Sequence, residues 1–404
     1  MRLSPSRLLT MGIVVIIGAL AACQPGSETS TVPPPGTFEP QSRDVATATP
    51  PTWTQSAEQI TVNNAPRLAY LGRLDTRDIP STVFAYAFSP DGTRLAGLNN
   101  EQLIAWNLIT GQIIFNTARA DATQVYYGID KTEIYTIHSD GQIAIYDADT
   151  GRLKETLTGK ERYNGKIAYD ANNGWLALGG LDGEIKVWDV ASRQSLVTIE
   201  AHSLQITGLA FSSDGEQLAS ASDDQTVQVW DWKKRQAISE IKVAAQNIAF
   251  APNNQQLAVG EPTQISLWNT QDGSSQARLS TGQRAAADVL VYSPDSQYIV
   301  NGGSIPTLTV WDAQAGKLVN TLPGAGGDAN AVAFSHNGEL LVTAVLGGSV
   351  SLWDVSTMRD ETLKRADLAI STRQILYADW SPDGFALTLF DATGPIQVWG
   401  IGQG

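Results

Sequence analysis

Apolar and polar positions alternate along most of this chain, in short runs. Between Ala201 and Asp231 three such runs stand out: Ile206–Phe211, Gln217–Ser220 and Val227–Trp230. Each alternates or is β-branched. Each is bounded by turn residues, first Ser213-Asp214-Gly215 and then Asp223-Asp224-Gln225. A period of two closed off by turn formers predicts three antiparallel strands joined by two tight turns. A sheet this small cannot bury its own apolar face, so it needs neighbours of the same kind.

The unit recurs. Trp or Tyr closes an apolar strand at Trp106, Tyr146, Trp188, Trp230, Trp268, Trp311, Trp353 and Trp399, at intervals of 38 to 46 residues. Asp or Asn follows in all but the last. A second mark precedes these: Phe88-Ser-Pro-Asp-Gly, Phe211-Ser-Ser-Asp-Gly, Tyr292-Ser-Pro-Asp, Phe334-Ser-His-Asn-Gly and Trp380-Ser-Pro-Asp-Gly. Pro and Asp-Gly suit a turn between a first and a second strand.

In the fourth unit the order His202, Ser222, Asp224, Trp230, Asp231 resembles the WD-repeat family of β-propellers. The resemblance implies an all-β fold, a single propeller with blades of four antiparallel strands, and the eight recurring units set the expected count at eight blades, with seven as the alternative. It also implies a hydrogen-bonded relay through His202, Ser222, Asp224 and Trp230. A buried imidazole and indole N–H need such polar partners. Blades are expected at 81–118, 123–158, 164–200, 204–241, 245–280, 286–322, 329–364 and 374–404. Asp140 and Asp182 occupy the turn-Asp position without the His and Ser, and His138 sits at a hydroxyl position. Outside the fourth blade the core is expected to rest on apolar packing.

The last repeat stops after its third strand, while Arg67–Leu74 alternates with no strand nearby to pair with. This N-terminal strand is expected to complete the last blade and close the ring.

Residues 1–22 read as a signal segment. Arg2 and Arg7 precede an apolar run of thirteen, Leu8–Leu20, too short for an ordinary membrane span. Leu20-Ala21-Ala22-Cys23 resembles the lipobox of bacterial lipoproteins. The resemblance implies cleavage before Cys23, lipid (palmitate among it) on its sulfur, and a place in the cell envelope outside the cytoplasm, in the periplasm or at the cell surface. Cys23 is the only cysteine, which rules out an internal disulfide. Residues 23–59 read as a disordered tether, with seven Pro and eight Ser or Thr between Gln24 and Pro51. Residues 60–404 are left for the propeller.

A formal charge of −14 argues against nucleic acid as a partner. The chain has no Gly-x-Ser-x-Gly, no His-Glu-x-x-His and no phosphate-binding glycine loop. Asp147-Ala-Asp149-Thr-Gly151 has carboxylates at calcium-loop spacing, yet each blade wants Asp and Gly at this turn anyway. No catalytic residue, metal or cofactor is expected.

Seven to nine residues before the first-strand aromatics stand Arg119, Arg162, His202, Lys242, Arg284 and Arg373, with Tyr163 beside Arg162. Connections into the blades share one face, so these side chains are expected on one rim. There they would focus anions. The rival reading has them replace the relay His and pair with nearby carboxylates. The expected function is a monomeric, membrane-anchored, non-catalytic scaffold that binds partner proteins on this rim. The alternative is an extracytoplasmic enzyme or an anionic-glycan-binding propeller.

Overall fold

The structure is a computed structural model that describes residues 8–10, 13–15, 56, 58–74, 82–118, 121–160, 162–245, 247–280, 289–302, 308–322, 329–345, 350–360, 362–368, 375–392 and 396–401. After a short antiparallel pair, Leu8–Thr10 with Ile13–Val15, the described strands form eight four-stranded antiparallel sheets. Blade 1 holds Ala85–Phe88, Arg94–Leu98, Gln102–Asn107 and Ile113–Ala118. Blade 4 holds Ile206–Phe211, Leu218–Ser222, Thr226–Asp231 and Gln236–Lys242. Blades 2, 3, 5, 6 and 7 span 122–157, 163–200, 247–279, 289–322 and 329–368. Neighbouring blades meet chiefly through their first strands, which therefore surround the axis.

Blade 8 takes Ile375–Trp380, Leu387–Asp391 and Ile396–Ile401 from one end of the chain and Leu68–Arg73 from the other. Leu68 pairs with Ile401 and Tyr70 with Trp399. In blades 1 to 6 the fourth strand bulges beside the third-strand aromatic: in blade 4, Val229 opposes Ser239 and Trp230 opposes Ala237, skipping Ile238. Leu68–Arg73 repeats this irregularity, with Val398 opposite Gly72 and Trp399 opposite Tyr70. The borrowed strand thus carries the extra residue and added twist that a fourth strand has elsewhere in the ring.

Burial follows from alternation. Successive residues of a strand point to opposite faces, so each blade offers one apolar face to either neighbour. The buried side chains fall into eight clusters, one per seam between adjacent blades. The third-strand aromatic of each blade faces the preceding blade: Trp106 lies in the seam between blades 8 and 1, Trp230 between 3 and 4, Trp353 between 6 and 7. Eight seams decide the count against seven blades.

The packed chain begins before residue 60. Ser56 Oγ accepts from the Ile401 N–H at 3.0 Å, and Gln59 Nε2 donates to the Asp383 carbonyl at 2.7 Å. Ile60 N–H reaches the Gly384 carbonyl at 2.8 Å, and its side chain is buried among residues of blades 7 and 8. Val62 N–H donates to Glu339 Oε2 at 3.0 Å. Ser56 and residues 58–67 form a strap under the seam of blades 7 and 8, attached to the turns between first and second strands. No described helix is long and apolar enough to cross a membrane.

Candidate functional site

Among the described residues, the face opposite the strap holds the connections into blades 3 and 4 and their turns between second and third strands. In blades 3 and 4 hydrogen bonds pin its backbone. Leu181 N–H donates to the Arg162 carbonyl at 2.8 Å, His202 N–H to the Gly183 carbonyl at 3.0 Å, and Asp223 N–H to the Gln205 carbonyl at 3.2 Å. Gly183 has φ +80, and a Cβ there would lie 2.0 Å from the His202 carbonyl oxygen. Only glycine lets the two loops approach this closely.

Below this face lies the relay of blade 4. His202 Nδ1 is 3.1 Å from Asp224 Oδ2 and 3.0 Å from Thr226 Oγ1. His202 Nε2 is 2.7 Å from Ser220 Oγ, and Trp230 Nε1 donates to the same Ser220 Oγ at 3.0 Å. The hydroxyl in the relay is therefore that of Ser220 and not, as expected, that of Ser222. Both point to the same side of their strand, but Trp230 stands opposite Leu218 and its indole reaches the diagonal neighbour, Ser220. Ser222 Oγ instead donates to the Leu204 carbonyl at 3.1 Å and accepts from Asp224 N–H at 3.1 Å. The bonds close if Nδ1–H donates to Asp224 and Nε2 accepts from Ser220, which makes the imidazole neutral. Burial lowers the His202 pKa, and the Asp224 charge only partly opposes it. Burial works against the Asp224 carboxylate, but bonds from the Thr226 hydroxyl and Ser203 N–H outweigh it and hold Asp224 below its ordinary range.

The other blades do not rest on apolar packing alone. Trp311 Nε1 donates to Asn301 Oδ1 at 2.7 Å and Trp353 Nε1 to Thr343 Oγ1 at 2.9 Å, both at the position Ser220 holds. In blade 3 a lysine replaces the histidine. Lys160 Nζ lies 2.9 Å from Asp182 Oδ2 and 3.0 Å from Glu184 Oε2, at separations of 22 and 24 positions. His202 stands at those same separations from Asp224 and Thr226. Burial would lower the Lys160 pKa, but the two carboxylates hold the ammonium above its ordinary value. Asp182 thus has a cationic partner that the sequence did not reveal. His138 is buried with Nε2 3.1 Å from Thr136 Oγ1. In the Asp147 turn, Oδ1 accepts from the Thr150 hydroxyl at 2.7 Å, and Asp149 pairs with Arg94 at 2.7 Å. Among the described residues no group of three or more His, Cys, Asp or Glu is placed to hold a metal ion.

Of the expected basic rim, Arg162 and Lys242 are exposed. Arg119, Arg284 and Arg373, like Cys23, lie outside the described residues. Tyr163 is buried in the seam between blades 2 and 3, and burial pushes its phenol well above the ordinary range. It is no rim aromatic: as the first residue of an inner strand it turns into the seam. What sequence reading missed on this face is apolar. Leu181 is 48% and Leu204 51% exposed, each in a hydrogen-bonded loop beside the relay. A leucine in an alternating chain reads as core, so nothing set these two apart.

A model of the family described as "WD domain, G-beta repeat" matches residues 165–189, 193–231 and 316–354, each stretch ending on the aspartate after a third-strand Trp. The chain carries WD40 repeats. Among curated proteins, this WD40 propeller is 27% identical over 166 residues to the small ribosomal subunit protein RACK1 of Caenorhabditis elegans, covering 38% of this chain and 49% of that one. It is 29% identical over 136 residues to the protein of the same name from Medicago sativa, covering 30% and 41%. The propeller therefore spans less than half the length of these relatives. Among solved structures, the computationally designed Ika8 protein overlays with a TM-score of 0.65 at 20% identity, over 80% of this chain and 96% of that one. The C-terminal WD40 domain of Sif2 overlays at 0.67 and 14% identity, over 83% and 99%. At these identities the likeness is one of fold.

Proposed function

We propose that this WD40 propeller is a lipid-anchored, non-catalytic scaffold outside the cytoplasm, which binds partner proteins on the face above the relay. The observation that carries the binding role is the contrast on that face between fixed backbone and open side chains. Relay and turn bonds hold the loops of blades 3 and 4, while Arg162, Leu181, Leu204 and Lys242 are left exposed. Rigid loops lose little entropy on binding. Two exposed leucines on a face that also carries Arg162 and Lys242 suit a partner segment with apolar and acidic side chains. The similarity to proteins named RACK1 agrees with an interaction role but does not name a partner.

The anchor is argued from Arg2, Arg7, the apolar run and Cys23. Acyl chains hold a membrane by roughly 0.8 kcal/mol per buried CH₂. Two experiments test the proposal separately. Fed labelled palmitate, cells should label the wild-type chain and not Cys23→Ser; equal labelling would remove the anchor. In-cell crosslinking should give a defined adduct that weakens with salt and disappears in Leu181→Ala/Leu204→Ala. An unchanged adduct would move the binding role off this face.

A further inference from the structure

The seam between blades 8 and 1 contains a carboxyl group where most blades have a methyl. Asp379 lies on the first strand of blade 8, one residue before the aromatic Trp380. The matching residues before Phe88, Tyr169, Phe211, Phe250 and Phe334 are Ala87, Ala168, Ala210, Ala249 and Ala333. Asp379 is 7% exposed. Its carboxylate accepts two hydrogen bonds: from its neighbour's backbone, Trp380 N–H to Oδ1 at 2.9 Å, and across the seam from Tyr86 OH to Oδ2 at a long 3.3 Å.

The surroundings are aromatic and aliphatic. Tyr86 stacks on Phe390 with centroids 4.1 Å apart and lies 6.0 Å from the Tyr377 ring. Val83, Leu95, Ile104, Trp106, Ile396 and Val398 belong to the same cluster. Among the described residues, the Tyr86 phenol of blade 1 bonds Asp379, and Tyr377, two positions back on the same strand, shares its strand face. The ionisation of Asp379 is governed by burial, the Trp380 N–H and the Tyr86 hydroxyl, and among the described residues no charged side chain contributes. Two donors are a poor replacement for the hydration shell of a carboxylate. The acid form fits better, because its own O–H can donate to the Tyr86 oxygen.

We propose that Asp379 is a proton-operated clasp: protonated, it grips the seam between blades 8 and 1, and ionised, it slackens that seam. The chemistry agrees in sign. Burial raises the folded-state pKa to about 7, against ~3.9 in an unfolded chain. Between those values the folded chain holds the extra proton, so Asp379 makes the seam lose stability as pH rises from about 4 to about 7, with no further loss above. The clasp stands independently of the membrane reading. If that reading holds, the clasp is exposed to the pH outside the cytoplasm, which a cell does not buffer.

Hydrogen exchange on the full chain tests the clasp. Amides of Ala85–Phe88 and Ile375–Trp380 are followed from pH 5 to pH 8.5, after correction for intrinsic exchange. Wild-type protection at this seam should fall roughly tenfold or more, one pKa unit being a factor of ten. Asp379→Asn, and Asp379→Ala with the residue five other blades use, should show no such fall. Amides of Asn247–Phe250, in another seam, should behave alike in all three proteins. A pH-independent wild-type seam, or variants that keep the wild-type slope, would overturn the clasp. If neither variant folds, the wild type still decides: a protonated-carboxyl infrared band should be present at pH 6 and fade through neutrality, and its absence at pH 6 would be fatal.

Discussion

Trp230 illustrates how a single diagonal contact organises a blade. Its indole needs an acceptor, and Ser220 supplies one while also bonding His202. Replacing Ser220 by Ala leaves two buried groups unsatisfied, for a cost of about 1–3 kcal/mol. Ser222→Ala removes bonds to backbone at the end of the strand and should cost less, about 1 kcal/mol. Urea unfolding of the two variants gives the order; a larger loss for Ser222→Ala would return the relay to that residue. His202 adds a pH dependence. Its folded pKa is lowered, so the unfolded chain takes up a proton first, near pH ~6.5, and stability falls as pH drops through and below that value. His202→Asn should be less stable than wild type at pH 8 but show a shallower decline between pH 7 and 5. The aromatic, the turn Asp and the His could all be read in the sequence. The hydroxyl could not be assigned, because Ser220 and Ser222 share a strand face and only the pairing register separates them. Lys160 was hidden for a different reason: a lone lysine reads as surface, and its burial depends on two carboxylates 22 and 24 positions away.

At the level of elements, the closing strand was legible and the strap beneath it was not. Leu68–Arg73 alternates, and the last repeat visibly lacked a fourth strand, so topology supplied the match. Residues 56–67 have no period. They are held by capping and backbone bonds such as Thr61 N–H to Asn64 Oδ1 at 2.7 Å and Ile60 N–H to Gly384 O, which leave no pattern in the sequence. Deleting residues 1–74 should bare the Ile396–Ile401 strand as a hydrophobic edge. The expected result is aggregation or a lower, broader thermal transition. A synthetic peptide of residues 56–74, added in trans, should restore the transition. Failure of the peptide to bind, with an unchanged melting curve for the deletion, would show that the ring does not depend on this strand.

At the scale of the whole molecule, the fixed period gave eight blades, and eight seam clusters account for it. What the period could not give is how one seam differs from another. Two of them carry opposed proton chemistry: the relay beside the seam of blades 3 and 4 weakens in acid, while Asp379 at blades 8 and 1 tightens. Between pH 5 and 6.5 the two partly cancel. Asp379→Asn should therefore lose more thermal stability than wild type on going from pH 7 to pH 5, as scanning calorimetry can measure. The rim chemistry was only partly legible, since charge pattern pointed to Arg162 and Lys242 while the leucines beside them looked like ordinary core residues.

The blade that draws on both halves of the chain also sets an order of events. Ser56 bonds to Ile401, 345 positions further on, so the earliest-made part of the ring has no mate until the latest part has emerged. Seven sheets can stack on one another as they appear, each on its predecessor. The eighth waits for an encounter across 345 positions, and until then an unpaired strand stays open to other chains. Newly made copies are thus most vulnerable to sticking together in the interval before the final strand arrives, and a holding chaperone would matter most at that moment.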